Sequence, residues 1–136
     1  MTNFNFNDII IDHNFLIFFR IVLTFMFWSA GIILLFDVKR FVGVVEGFRL
    51  PMPAVVAPAT IAVMLGGSLL LITDVGGTAW LGAGMLGVFT LLTIPVAHPF
   101  WAVDPPHRLE KLFLVLEHVS VIGGLMLAAA STGFGR

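Results

Sequence analysis

Four long apolar segments constrain the fold of this chain more than any other feature of its sequence. They cover residues 15–36, 54–72, 79–97 and 109–130. A helix that crosses the hydrocarbon core of a bilayer needs about 20 mostly apolar residues, and each segment is close to this length. Hydrophobic residues make up 59% of the chain and charged residues 11%, against about 45–50% and about 25% in soluble domains. The sequence therefore predicts an all-α integral membrane protein.

Short connections between the segments predict how the helices are arranged. The second and third segments are joined by "TDVGG", and the third and fourth by "HPFWAVDPPHR". Because short connections make consecutive helices antiparallel neighbours, we expect one four-helix transmembrane domain over residues 1–136 with up-down-up-down topology. The first and third connections carry five basic residues: Lys39, Arg40, Arg49, Arg108 and Lys111. Since Lys and Arg are enriched on the cytoplasmic side, these connections are predicted to be cytoplasmic and both termini to lie outside.

The composition also excludes several classes of site. The chain has no cysteine, which excludes disulfides, thiol redox chemistry, zinc–cysteine sites and c-type haem attachment. Its net charge of −1 argues against a nucleic-acid partner, which would favour a basic face. The carboxylates do not cluster as a di-metal centre requires, and the sequence contains no phosphate-binding loop or nucleophile elbow. We therefore predict no catalytic residue set, no metal site and no covalent cofactor.

The ionisable residues within or at the ends of the apolar segments are the candidate site residues: Arg20, His98, Glu117 and His118. A charge at the centre of a membrane helix costs about 2.5–3.5 kcal/mol on insertion scales, so such residues usually face other helices or a wet cavity. Arg20 either snorkels towards the nearby helix end or points inward and holds a carboxylate or an anionic ligand. His98 either bonds a loop carbonyl at the interface or faces Glu117 or His118.

Glu117 and His118 are adjacent in the fourth segment and leave two alternatives open. Counted from residue 109 at about 1.5 Å per residue, Glu117 lies about 12 Å into the helix, which is too deep for a short carboxyl to snorkel. The two residues either clamp helices together through hydrogen bonds or form a ligand or proton site. The same count separates His98 from His118 by about 12 Å in depth, which disfavours a bis-histidine haem.

Aromatic and small residues add two further expectations. Trp80, Phe100 and Trp101 lie near segment ends and are predicted to be interfacial anchors. Small residues let membrane helices approach closely, so the glycines of the last three segments are expected at helix contacts: Gly66, Gly67, Gly82, Gly84, Gly87, Gly123 and Gly124.

The order of these features resembles the DoxX family of small four-helix bacterial membrane proteins. The resemblance covers residues 19–130 and rests on "FRIVLTFMFWSAGIILLFD", "GFRLPMPAVVAPATIAVMLGGSLLLI", "LLTIPVAHPFW" and "VSVIGGLMLAA". Its most specific parts are Arg20, Gly31, the Leu-Pro-x-Pro that opens the second helix, and His98 at the end of the third. Each part alone is weak, whereas the whole series in one order and spacing is fairly specific.

Two positions depart from the pattern that the resemblance implies. The family usually has a Lys after the first-helix Gly and a Glu before the second-helix Gly-Gly, where this chain has Leu34 and Met64. Their joint absence fits the high cost of burying one charge without its partner. The family often has Lys-Asn near the start of the fourth helix, and the matching residues here look like Glu117 and His118. The polar centre is therefore expected to have moved towards the fourth helix.

The resemblance implies a multi-pass protein of the bacterial inner membrane. Some DoxX-like proteins resemble the membrane subunit of a thiosulfate:quinone oxidoreductase, and others are linked to membrane redox complexes. We therefore expect a non-catalytic subunit or anchor of a quinone-linked complex, in contact with lipid and with other subunits or copies of itself. The four candidate residues would tie the bundle together and contact a quinone or lipid head group. The alternative is a small transporter or proton-conducting bundle that uses Glu117 and His118.

Overall fold

Five α-helices make up most of the chain in the computed structural model, which describes residues 13–133. Residues 1–12 and 134–136 of the predicted domain lie outside this range. The helices are α1 (His13–Phe36), α2 (Val38–Gly47), α3 (Pro53–Thr73), α4 (Ala79–Ala97) and α5 (Pro105–Gly133). Short 3-10 turns lie at Val75–Gly77 and Phe100–Ala102. Helices α1, α3, α4 and α5 are long and apolar enough to cross a membrane. The predicted all-α, up-down-up-down membrane bundle is confirmed.

The four spanning helices pack in chain order, α1 against α3, α3 against α4, and α4 against α5. Helices α1 and α5 meet at few positions, one of which places Leu23 against Gly124. The largest apolar side chains that are fully buried come from all four helices: Phe27, Leu71, Leu86 and Leu125. Leu125 is the one buried residue in the described part of α5, so most of this helix faces away from the bundle.

Helices α3 and α4 touch backbone to backbone at Gly67 and Gly82. A Cβ atom on Gly82 would lie 2.5 Å from the Gly67 carbonyl oxygen and 2.6 Å from the Leu71 amide nitrogen. Gly124 is also closely packed, against Leu23. The remaining predicted contact glycines have no neighbouring atom within 4 Å of where a Cβ would stand: Gly66, Gly84, Gly87 and Gly123. Only part of the glycine pattern therefore marks helix contacts.

Helix α2 occupies a stretch that the sequence alone assigned to a connection. The Asp37 carboxylate begins the helix by accepting a hydrogen bond from the Arg40 amide at 3.1 Å, as an N-cap residue does. The helix packs on α3 with Val45 buried, and it helps to enclose an apolar cavity of about 240 Å³ between α1, α3 and α4.

Helix α5 begins at Pro105 rather than at residue 109 as predicted. Its first turns are exposed. The Lys111 ammonium donates a hydrogen bond to the Ala97 carbonyl, at the last residue of α4, at 3.0 Å. The start of α5 therefore projects past the end of α4, which shifts the level of every later residue in the helix.

Candidate functional site

The candidate residues divide between the two ends of the bundle. One end, called here the Asp74 end, holds the first turns of α1 and the turn between α3 and α4. The other, called the His98 end, holds α2, the Phe100–Ala102 turn and the first half of α5. Arg20 lies at the Asp74 end, whereas His98, Glu117 and His118 lie at the His98 end.

Arg20 points inward and is paired with Asp74. An Arg20 guanidinium nitrogen lies 3.5 Å from an Asp74 carboxylate oxygen, and the side chains are 11% and 27% exposed. Asp74 ends α3 with a left-handed φ of 48°, and its other oxygen accepts the Ala79 amide at 2.9 Å. One carboxylate therefore joins α1 to the turn that connects α3 and α4. Sequence reasoning missed Asp74, because nothing in "TDVGG" shows that the turn brings it back onto α1.

His98 and His118 form a pair of touching imidazoles. Their ring centroids lie 4.7 Å apart with an angle of 64° between the planes. His118 Nδ1 lies 2.7 Å from the Leu114 carbonyl oxygen. Since a carbonyl can only accept, this nitrogen carries a proton, and in the neutral ring Nε2 is then an acceptor. His98 Nδ1 is buried and has no hydrogen-bond partner. The pair thus presents unsatisfied imidazole nitrogen at the end of α4.

The ring contact corrects the depth estimated from the sequence. His98 directly follows α4, so His118 lies near the level at which α4 ends and not about 12 Å deeper. The estimate was wrong because it counted from residue 109, whereas the exposed first turns of α5 extend past the end of α4. The depth difference therefore no longer weighs against a bis-histidine haem.

Glu117 lies beside His118 in sequence but faces away from the bundle. Successive helix residues point about 100° apart, and the Glu117 side chain is exposed, as are those of Leu116 and Ser120. Glu117 forms no hydrogen bond or ion pair within residues 13–133. The structure thus brings two of the four candidates together, leaves Glu117 on the outer face of α5, and places Arg20 at the opposite end.

The core between the two ends is apolar and its hydroxyl groups are already bonded. Thr24, Ser68 and Thr90 are buried, and each donates its hydroxyl to a carbonyl of its own helix at 2.7 Å. Leu34 and Met64, at which the resemblance implies charged residues in relatives, line one apolar cavity. Both side chains are apolar here, so the region carries no charge at these two positions.

A groove lies between the middle of α4 and the second half of α5. Its volume is about 240 Å³, and its lining is almost entirely apolar. Gly84, Gly87 and Leu91 line it from α4, and Ile122 and Ala129 from α5. The two glycines widen this groove because neither carries a side chain.

The predicted interfacial anchors lie at opposite ends of α4. Trp80 is exposed at its start, and Trp101 is exposed in the turn that follows its end. The Phe100 ring packs edge-on against Trp101, with centroids 5.1 Å apart. These positions are the ones that aromatic belts at two membrane interfaces require; the anchoring itself stays a prediction.

Comparison with protein families matches the DoxX family over residues 15–99. The match contains Arg20 and His98 and most of α1 to α4, whereas α5, with Glu117 and His118, lies outside it. Searches of curated proteins and of solved structures returned no match.

Proposed function

Because this chain belongs to the DoxX family, we propose that it is a non-catalytic integral subunit or anchor of a quinone-linked redox complex in the bacterial inner membrane. The outer face of α5 is the observation that carries the proposal. Leu125 is the one buried residue in the described part of this helix, and Glu117 points outward near the level at which α4 ends. A carboxyl on the outer face of a membrane helix is stabilised by a hydrogen-bond donor, and a neighbouring subunit would supply one.

The residues around Glu117 suit contact with another membrane helix. Ser120 and Gly123 follow at intervals of three residues, and both are exposed. Residues three and four apart share a helix face, and small residues allow close approach of a second backbone. Lipid tails can cover the apolar side chains of this face, whereas a second helix could also hold a hydrogen-bond donor in a fixed position beside the carboxyl.

The alternative, a transporter or proton-conducting bundle, gains no support from the core. A proton relay needs polar groups that bond to one another across the membrane. Here Thr24, Ser68 and Thr90 bond to their own helices, and fully buried Phe27 and Leu86 lie in the same core. Proteoliposome flux that disappears with Glu117→Gln would nevertheless favour the alternative.

Purification in mild detergent from the source membrane, followed by native mass spectrometry, tests the proposal. We expect the chain to co-purify with larger redox subunits, and Glu117→Leu to weaken this association. Glu110→Leu is the matched control, because Glu110 lies on the exposed first turns of the same helix next to His107. Recovery of the wild-type chain alone, or only as copies of itself, would overturn the subunit proposal.

The activity of such a complex provides a second test. Glu117→Gln and His118→Ala each remove one candidate ionisable group at the His98 end without touching the Arg20–Asp74 pair. If quinone-reductase activity is unchanged in both variants, neither residue contacts quinone.

A further inference from the structure

We propose that the groove between the end of α1 and helix α2 binds one zwitterionic phospholipid whose head group carries a primary amine, as in a phosphatidylethanolamine. Arg40 binds the lipid phosphate, Asp37 accepts a hydrogen bond from the ammonium, and the start of one acyl chain lies in the groove. The site uses neither the outer face of α5 nor the histidine pair, so it stands apart from the subunit proposal.

The groove combines an apolar wall with charged residues. Its volume is about 210 Å³, and four apolar and two charged residues line it: Ile33, Leu34, Asp37, Arg40, Phe41 and Val44. By contrast, the linings of the groove between α4 and α5 and of the cavity that α2 helps to enclose contain no charged residue. The groove beside α2 is therefore suited to an amphiphile with a charged head rather than to a hydrocarbon chain alone.

The two charged residues lie where α1 reaches the surface of the membrane. Asp37 directly follows the last residue of α1, and Arg40 lies in the first turn of α2. Ile33, one turn before Asp37 in the spanning helix, is 69% exposed, and Val44 is 46% exposed. Lipid head groups lie at the ends of membrane-spanning helices and acyl chains lie along them. The charged part of the groove is therefore at the level of the head groups, and its apolar part is at the level of the first methylene groups.

Asp37 and Arg40 have hydrogen-bonding capacity left for a ligand. Within residues 13–133 their side chains form no ion pair, with each other or with another residue, and both are exposed. One Asp37 oxygen accepts the Arg40 backbone amide at 3.1 Å, and in the same part of the chain no hydrogen bond occupies the second oxygen or the guanidinium. One acceptor and a set of strong donors are thus available at the groove.

The opposite charges of these two residues select the head group. Arg binds a phosphate through paired N–H donors, and a carboxylate accepts a hydrogen bond from an ammonium group. A phosphatidylethanolamine supplies both partners. A phosphatidylglycerol brings a negative phosphate near Asp37 without a cation to offset it, and the trimethylammonium of a phosphatidylcholine has no N–H to donate. The groove therefore favours the ethanolamine head over both.

Native mass spectrometry of the delipidated full chain in mild detergent measures this preference. The protein is titrated separately with phosphatidylethanolamine, phosphatidylglycerol and phosphatidylcholine that carry the same acyl chains, and the fraction with one bound lipid is read at each concentration. We expect the apparent Kd to be about tenfold lower for phosphatidylethanolamine than for the other two, as one charge-assisted hydrogen bond allows. Glycerophosphoethanolamine has the same head but no chains, and it should not compete at the same concentrations because it buries no apolar surface in the groove.

Two substitutions separate the roles of the charged residues. Asp37→Asn keeps the helix cap, because Asn caps a helix as well as Asp does, and it removes the charge that the ammonium meets. We expect this variant to bind phosphatidylethanolamine no better than phosphatidylcholine. Arg40→Gln removes the phosphate partner and is expected to raise the apparent Kd for all three lipids about tenfold. It also leaves the cap in place, since the cap uses the backbone amide of Arg40.

Helix α2 itself offers the matched controls. Glu46→Gln removes a carboxylate and Lys39→Gln removes a cation, and both residues are exposed on α2 but lie outside the lining of the groove. We expect neither control to change the order of the three lipids or the apparent Kd for phosphatidylethanolamine. A general attraction between α2 and charged head groups would instead respond to these two changes as strongly as to those at Asp37 and Arg40.

Several results would overturn the site. Equal apparent Kd values for the three lipids, tighter binding of phosphatidylglycerol, or equal competition by glycerophosphoethanolamine would each contradict it. So would a preference for phosphatidylethanolamine that survives Asp37→Asn. If Asp37→Asn does not fold in detergent, Arg40→Gln decides the question, because unchanged binding by that variant contradicts the phosphate contact. None of these results bears on co-purification with redox subunits, which decides the subunit proposal separately.

Discussion

Asp74 makes two different contacts with one side chain, and a single substitution can separate them. One carboxylate oxygen faces Arg20, and the other accepts the Ala79 amide. Asn keeps an acceptor for Ala79 and tolerates the φ of 48° better than most residues do, so Asp74→Asn removes only the charge opposite Arg20. The contact with Arg20 is therefore open to measurement without loss of the turn.

We expect Asp74→Asn to lower the free energy of unfolding by about 1–3 kcal/mol. Breaking a fully buried ion pair costs about 3–5 kcal/mol, and the loss should be smaller here because the Asp74 side chain is 27% exposed. Unfolding in mixed detergent micelles measures this loss. Asp37→Asn is the control, since Asn also caps helices well and Asp37 has no ion pair within residues 13–133. Equal unfolding curves for the wild type and Asp74→Asn would show that the ion pair contributes nothing.

At the scale of helices, the contact between α3 and α4 depends on Gly82. Because Gly82 has no side chain, the backbone of α3 can approach it closely. We expect Gly82→Ala to lower the free energy of unfolding by about 3 kcal/mol, at the upper end for overpacking. The added Cβ would lie 2.5 Å from the Gly67 oxygen and 2.6 Å from the Leu71 nitrogen, and neither backbone atom can rotate away.

Gly84→Ala gives the matched control for that substitution. It lies on the same helix two residues later, and its Cβ would meet nothing within 4 Å. Because Ala favours helix over Gly by about 0.5–1 kcal/mol, Gly84→Ala is expected to unfold at equal or slightly higher denaturant. If both variants unfold alike, the contact between α3 and α4 is more compliant than its geometry indicates.

Helix α2 offers a second comparison at this scale. Val45 is buried against the bundle, whereas Val44 is 46% exposed. We expect Val45→Ala to lower the free energy of unfolding by about 1–2 kcal/mol, as the deletion of buried methyl groups does, and Val44→Ala to change it little. A similar loss for both, measured in the same micelles, would show that α2 does not pack on α3 in detergent.

The helices also show where sequence reasoning succeeded and where it failed. Hydropathy located the four spanning helices because each must be apolar for most of its length. It missed α2, because Lys39, Arg40 and Glu46 make this ten-residue stretch too polar and too short to stand out as a helix by hydropathy. It also started α5 too late. The sequence pattern predicts a connection at Pro105 and Pro106, although Pro is tolerated in the first turn of a helix, where its missing N–H is not needed.

At the scale of the whole molecule, the error in α5 changed the predicted site. Depth was counted along one helix, but it depends on how neighbouring helices are staggered, and the local sequence does not encode that stagger. The sequence therefore offered a His98 that faces His118 only as one of two alternatives and could not decide between them. It could not predict the outward position of Glu117 either. Arg20 was recognised as a candidate, whereas its partner Asp74 required the turn geometry.

The distribution of basic residues over the two ends predicts the orientation in the membrane. Five lie at or near the His98 end: Lys39, Arg40, Arg49, Arg108 and Lys111. Within residues 13–133, Arg20 is the one Lys or Arg at the Asp74 end, and it is paired with Asp74. The bias of Lys and Arg sets orientation, and acidic residues contribute little. The His98 end should therefore be cytoplasmic.

Single cysteines can test this orientation against a silent background, because the wild-type chain contains none. Val75→Cys reports the Asp74 end and Ala102→Cys the His98 end, and both positions are exposed in short turns. In intact cells treated with a membrane-impermeant maleimide, we expect Val75→Cys to react at once and Ala102→Cys to react only after lysis. The reverse order would place both termini in the cytoplasm, and labelling of both in intact cells would show a mixed orientation. Either result would mean that these basic residues do not set the topology of this bundle.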